Sequence, residues 1–319
     1  MRADRDFRWL DGERLIRFAS GAVGEAPELL SSRGFDGYVL LTTERFEPLE
    51  GTAEVLHVPS GPVPEASAAV REQVGGRPLV ALGGGRVIDS AKAIGAADGM
   101  PVAAVPTTLS GAELTGFHRL PAGVEGRRLV RPSLVIADPD LMASAPMPLL
   151  AATALNALAH AVEATYTPLA NPVATATAVR AAELLSHGIR AGARWALGLG
   201  ALLAGWASGA AGYAVHHVVC QTIVRVGGTP HAETNATMLP HTLGLMRERA
   251  RQELAALDAV IGDPADLTER AGVSGLRSLG FDAARIDDVV AAVLPRPELQ
   301  NTPSPPRGPE LRALLEGAL

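Results

Sequence analysis

Three histidine positions in the second half of the chain have the spacing to build a reactive wall. Asn156 and His160 are four residues apart in an Ala- and Leu-rich run, so a helix puts both on one face, with Glu163 one turn further along. His216 and His217 are adjacent in another apolar segment, and His231 follows Gly227-Gly228-Thr229-Pro230. Imidazoles at separated helical positions, plus one after a turn, are geometry that suits a divalent metal. The plainer alternative is a set of core histidines, each satisfied by its own hydrogen bond. Adjacent His216 and His217 cannot share a helix face, so at most one of them points into a given site.

A second group suits a different chemistry. The apolar run Val80-Ala81-Leu82 leads into Gly83-Gly84-Gly85-Arg86 and then Val87-Ile88-Asp89-Ser90-Ala91-Lys92. Glycines between a strand and a helix let backbone N–H groups approach a phosphate, and the helix N-terminus adds partial positive charge. The spacing is not the usual G-x-G-x-x-G, and a tight βα turn with an ion pair from Asp89 to Lys92 or Arg86 is the competing explanation. A further apolar run, Val102 to Val105, ends in Pro106-Thr107-Thr108-Leu109-Ser110-Gly111. Clustered hydroxyls after a buried strand lie where open α/β sheets bind ligands.

The elements that must position these groups fall into two blocks. Residues 37–42, 53–58, 78–82, 101–105 and 134–137 read as strands, and 65–74 and the run from about 87 as helices. That alternation predicts an α/β domain with a parallel sheet over residues 1–148. From about Leu149 the pattern turns to long Ala/Leu-rich helical segments with breakers at Pro168–Pro172, Gly227–Pro230 and Gly262–Pro264, predicting an all-α domain over 149–319. Residues 196–219 read as one buried helix, and Glu310–Leu319 as a last helix after the Pro-rich 295–309.

The whole chain is globular in composition, with 47% hydrophobic and 19% charged residues, and its net charge of −6 offers no broad field to nucleic acid or to an anionic membrane. The single cysteine, Cys220, excludes an internal disulfide and suits a reducing compartment. Met1 to Asp6 has no leader pattern, and the expectation is a cytoplasmic protein. Of 28 basic residues only Lys92 is lysine, which hints that an ammonium is needed beside the glycine loop.

Gly83-Gly84-Gly85 followed by Asp89 and Ala91-Lys92 resembles the GGGSxxDxAK segment of iron-containing alcohol dehydrogenases, with Arg86 in place of the usual serine. The Pro106-Thr107-Thr108 loop resembles their second cofactor loop. Asn156 to Ala164 is similar to their DAxxHAxEA, and its Asn156, together with His216-His217-Val218-Val219-Cys220 and Pro230-His231-Ala232-Glu233-Thr234, resembles the maleylacetate reductase branch. Asp138-Pro139 and Leu239-Pro240-His241 match wider landmarks. The resemblance implies NADH or NADPH held by Gly83, Gly84, Gly85, Arg86, Asp89, Lys92, Thr107, Thr108 and Ser110. It implies ligand-type positions for Fe or Zn at Asn156, His160, His217 and His231, with the neutral Asn156 weakening that site toward a metal-free one. It also implies a homodimer acting on a small molecule. His160, His217, Gln221 and His231 are then the catalytic candidates. Gln221 stands where the branch has histidine and cannot titrate near neutral pH. Proton delivery must run elsewhere, through His217, His216, His241 or water. His118, Arg119 and Arg225 are candidate clamps for a diacid, and Glu44 and Arg45 are candidates to select the cofactor's ribose. A metal-dependent alcohol or aldehyde dehydrogenase, a non-redox biosynthetic enzyme and a cofactor-binding module remain as alternatives, the second kept open by Gln221 and Arg86.

Overall fold

The structure is a computed structural model and describes residues 5–126 and 128–319; of the opening segment read for a leader, Met1–Asp4 lies outside them. The chain divides into two compact units, Met1–Ser144 and Ala145–Leu319.

The first unit is a seven-stranded sheet in the order β1-β2-β7-β6-β5-β3-β4. Its strands are β1 (Asp6–Asp11), β2 (Arg14–Ala19), β3 (Val39–Thr42), β4 (Glu54–His57), β5 (Leu79–Gly83), β6 (Val102–Pro106) and β7 (Leu134–Ala137). The pairs from β2 through β4 are parallel; helices cross between β2 and β3, β4 and β5, and β5 and β6, while among the described residues loops alone join β3 to β4 and β6 to β7. Both faces of the central strands are buried. Val39, Leu41, Leu79, Ala81, Val102 and Ala104 pack on one side with α2 (Val63–Arg71) and α3 (Gly85–Asp98). Leu40, Val80, Leu82, Ala103 and Val105 pack on the other with α1 (Ala26–Ser32). A short α4 (Pro139–Met142) follows β7, capped by Asp138, whose carboxylate accepts from Asp140 N.

One feature departs from the all-parallel expectation. β1 and β2 form an antiparallel hairpin at the sheet edge, turning on Gly12 at φ 62°. Alternation is masked in β2 because Arg14 and Arg17 lie inside it and are buried, Arg17 by pairing with Glu25 and Asp6.

The second unit is helical: α5 (Met147–Ala164), α6 (Pro172–Ala191), α7 (Arg194–Ala211), α8 (Val215–Gly227), α9 (His231–Arg249), α10 (Arg251–Ile261), α11 (Pro264–Arg270), α12 (Ile286–Val293) and α13 (Gly308–Gly317). Among the described residues no helix is long and apolar enough to cross a membrane. α5 is the centre of this unit, packed against α6, α7 and α9 and buried along most of its length. The segment 196–219 is two helices, not one. Gly212, at φ 84°, ends α7, and α8 begins at Val215. This puts His216 and His217 in the first turn of a helix, where backbone N–H groups lack intrahelical acceptors.

Candidate active site

The glycine loop and the hydroxyl loop meet at the carboxyl ends of neighbouring parallel strands, β5 and β6. Thr107 N donates to Gly83 O at 3.0 Å, tying one loop to the other. A Cβ on Gly84 would stand 3.0 Å from Thr108 Cγ2, and one on Gly85 3.2 Å from Ser110 Cβ, so only glycine leaves the approach open. Gly84 is the N-cap of α3 and supplies no side-chain cap, which leaves the first N–H groups of that helix available to an anion. The strand order reverses at β3, with β4 on one side and β5 on the other, and ligands of open α/β sheets sit at such a switch point. Thr42 marks it, its Oγ1 donating to Leu82 O at 2.8 Å, with exposed Glu44 and Arg45 just beyond.

Two residues expected to touch the cofactor are occupied with structure. Lys92 is fully buried, and its ammonium donates to Asp89 Oδ1 (2.7 Å), Phe117 O (2.8 Å) and Ala112 O (2.9 Å). All its donors are spent holding the hydroxyl loop against α3, which is a role for a compact ammonium with three donors. Asp89 is its partner. Arg86 is exposed on the first turn of α3. Glu113, which the sequence reading passed over, lies behind the same loop with both carboxyl oxygens buried and without hydrogen bonds. Burial pushes its pKa from 4.5 up to about 7.

In the helical unit, α5, α7, α8 and α9 bring the histidines together around Glu163. This carboxylate is fully buried and accepts from His216 N at 2.7 Å and His217 N at 3.4 Å, so it caps α8 from outside. Its other oxygen, Oε2, accepts from His217 Nδ1 at 2.5 Å. Burial raises Glu163 to about 7 and lowers His217 to about 3, so the imidazole is neutral at ordinary pH. With its Nδ1 proton directed at Glu163, His217 keeps Nε2 as a buried lone pair that has no partner. His160 stacks on it, ring centroids 3.9 Å apart and planes 14° from parallel, with Ser208 Oγ at 3.2 Å from Nδ1. Burial, then His217 and His231, push His160 well below its ordinary value. The Asn156 Oδ1 is also buried and unpartnered.

His216 is the satisfied member of the adjacent pair: Nε2 donates to Asn235 Oδ1 (3.1 Å) and Nδ1 accepts from Thr242 Oγ1 (2.8 Å). His231 opens α9, exposed, with Asn235 Nδ2 donating to its carbonyl at 2.7 Å. Other expected participants go elsewhere. The His118 ring accepts from Val130 N at 3.1 Å and bonds the Arg119 carbonyl, which makes it a loop brace. Arg119 and Arg225 are exposed, and His241 lines a pocket with Thr237 and Gly317. Gln221 accepts from Arg296 Nη2 at 2.9 Å, a contact across 75 residues that no local pattern announces.

A metal ligand set needs lone pairs that converge, with the ion close to each imidazole plane. The two rings of His160 and His217 lie nearly parallel and one above the other, so no point at bonding distance lies in both planes. Among the described residues no three His, Cys, Asp or Glu side chains group as ligands, and the fourth expected donor, Asn156, is neutral. The arrangement of Asn156, His160, His217 and His231 does not fit a resident ion.

An open parallel sheet with a glycine loop at its switch point defines a nucleotide-binding unit, here followed by a helical unit with a histidine wall. Residues 17–146 match the family model for iron-containing alcohol dehydrogenase, and residues 150–280 that for the C-terminal part of the Fe-containing alcohol dehydrogenase family. Maleylacetate reductase 1 of Rhodococcus opacus is 36% identical over 66% of this chain and 64% of its own length. Maleylacetate reductase of Sphingobium indicum is 32% identical over 78% of each. The crystal structure of maleylacetate reductase from Agrobacterium tumefaciens superposes with a TM-score of 0.86 at 29% identity over 98% of both chains. That from Rhizobium sp. strain MTP-10005 gives 0.85 at 28%, again over 98% of both. The chain belongs to the iron-containing alcohol dehydrogenase family, on its maleylacetate reductase-like branch. Membership implies an oxidoreductase with a nicotinamide dinucleotide and, from the family at large, a metal; the donor geometry above is where this chain parts from the last expectation.

Proposed function

We propose that this protein is an NADH- or NADPH-dependent reductase of maleylacetate or a similar unsaturated oxo-acid, working without a metal ion. The observation that carries the reading is the packing of Gly84 and Gly85 against Thr108 and Ser110 over the uncapped start of α3. Gly83, Gly84, Gly85, Thr107, Thr108 and Ser110 hold the dinucleotide's phosphates, and Lys92 with Asp89 keeps the second loop in place. The bound reduced dinucleotide supplies a hydride to the conjugated system of the acceptor. The double bond is saturated when a proton joins the neighbouring carbon, and the charge that develops on the carbonyl oxygen needs hydrogen-bond donors.

The helical unit provides both polarities. Glu163 fixes the tautomer that makes His217 Nε2 an acceptor. Ser208 Oγ lies 3.2 Å from His160 Nδ1; in the tautomer where Ser208 donates, the His160 proton is on Nε2 and the stacked pair presents one donor and one acceptor. His231, exposed at the start of α9, is the member of the set that faces solvent and offers a titratable ring where Gln221 does not. His216, locked by Thr242 and Asn235, takes no part.

The dinucleotide assignment is tested by titration calorimetry with NADH and NADPH. The expected result is micromolar binding of one or both; binding of neither would remove the redox reading.

A further inference from the structure

A diacid acceptor needs a cation, and none of the arginines near the recognised motifs supplies one. The Pro-rich segment after α12 does. It makes a tight turn over Pro297–Asn301 and docks on α8, with Asn301 Nδ2 donating to Tyr213 O at 2.9 Å. The docking carries Arg296 to the histidine wall. Arg296 Nη2 donates to Gln221 Oε1 at 2.9 Å and to Tyr213 Oη at 3.4 Å. Gln221 lies one helical turn beyond His217, and the Tyr213 ring meets the His217 ring edge-on, centroids 6.1 Å apart.

We infer that Arg296 is the carboxylate anchor of the acceptor site, mounted on Gln221 and Tyr213. The guanidinium is largely buried, its side chain 18% exposed, yet its charge is only loosely matched: the contact with Glu298 is a single one at 3.4 Å. Among the described residues Nη1 makes no hydrogen bond. A guanidinium placed only to staple the turn would spend its fork bidentately on the nearby carboxylate. Instead Glu298 also accepts from Tyr213 Oη at 3.1 Å, and Arg296 Nη2 goes to Gln221 at 2.9 Å. With Gln221 Oε1 taken as an acceptor by Nη2, the Gln221 Nε2 donors and Arg296 Nη1 have no hydrogen bond among the described residues. Two sets of donors, one cationic and one neutral, make a receptor for a carboxylate. The substitution at 221 then has a reason. A histidine that gained a proton there would meet the guanidinium as a like charge, whereas a glutamine never does. Arg296 thereby sets specificity for acids.

This rests on the reductase reading for the identity of the substrate, but anion binding can be read without turnover. The probe is maleate, with dimethyl maleate as its uncharged counterpart, titrated into the full-length protein in the presence of NADH or NADPH. The wild type is expected to bind maleate, and Arg296→Gln to weaken that binding about tenfold or more, the loss expected for one charge-assisted hydrogen-bonded contact. Arg296→Lys should restore part of it, and Glu298→Gln should tighten it by removing a competing carboxylate. The diester should bind weakly and equally to wild type and Arg296→Gln, and dinucleotide affinity should be unchanged. With maleylacetate as substrate, the Arg296→Gln defect should fall on KM more than on kcat. Maleate affinity that is absent in the wild type, or unchanged in Arg296→Gln, would overturn the anchor, as would equal losses for acid and ester. Arg296-dependent maleate binding in a protein that does not reduce maleylacetate would uphold the anchor and sink the reductase reading instead.

Discussion

Glu163 does two jobs with one carboxylate, and separating them gives a sharp prediction at the scale of single residues. Oε1 satisfies the N–H groups of His216 and His217 at the start of α8, and Oε2 holds the His217 proton. In Glu163→Gln the amide oxygen still caps the helix, but the NH2 group donates to His217 Nδ1 and forces the proton to Nε2. His217 changes from acceptor to donor while the fold stays, and kcat should fall about 100-fold or more with little change in melting temperature. Glu163→Ala should instead cost about 3 kcal/mol, measured by denaturant unfolding, because it strands buried N–H groups. If Glu163→Gln retained full turnover, the oriented imidazole would have no part in catalysis. At this scale the spacing of Asn156 and His160 was readable, because one helix carries both. So was the rule that only one of His216 and His217 enters the site. The partners that decide which one were not, because Glu163, Thr242, Asn235 and Arg296 come from other helices and loops. Lys92 spends its donors on Asp89 and on carbonyls 20 and 25 residues away, a placement that no local pattern announces.

The glycine loop is the element on which dinucleotide binding turns, and its geometry allows a substitution that tests binding without unfolding. Asp is a favoured N-cap residue, so Gly84→Asp should leave α3 intact or strengthen it. The same carboxylate would sit where a phosphate must approach, and its Cβ would crowd Thr108. NADH or NADPH affinity should drop by more than about tenfold, read by calorimetry, with the melting temperature held or raised. Unchanged affinity would put the phosphates elsewhere. Of the elements themselves, β3 to β7 were visible as apolar runs between helical patterns, because buried parallel strands need no polar face. The β1–β2 hairpin was not. Asp11-Gly12 is a turn signal, but the flanking runs are interrupted by arginines that become buried only through Glu25, Asp6 and backbone carbonyls. The break between α7 and α8 was hidden as well, since Gly212 sits in a stretch already rich in glycine.

For the molecule as a whole, the buried carboxyl of Glu113 contributes a pH dependence to stability. Glu113 has its folded-state pKa raised from 4.5 to about 7 by burial, so the folded state binds its proton more tightly than the unfolded chain does. The stability from this group is full below pH 4.5 and is lost as pH rises through about 7, about 3 kcal/mol in all. Glu113→Gln, neutral at every pH, should flatten that slope and melt higher than wild type at pH 8; an identical slope in both proteins would place the carboxyl in a wetter setting. A metal-independent wall makes a second global prediction. Dialysis against a strong chelator should leave kcat and the melting temperature unchanged, whereas a loss reversed by added Fe or Zn would show that the histidines rearrange around an ion. The central claim, an NADH- or NADPH-dependent reduction of an unsaturated oxo-acid, is tested most directly by following dinucleotide oxidation with maleylacetate and identifying the product. The account predicts substrate-dependent oxidation of NADH or NADPH, a product saturated at the former double bond, and loss of both in His217→Ala. Dinucleotide bound but not oxidised by maleylacetate or related unsaturated oxo-acids would contradict it.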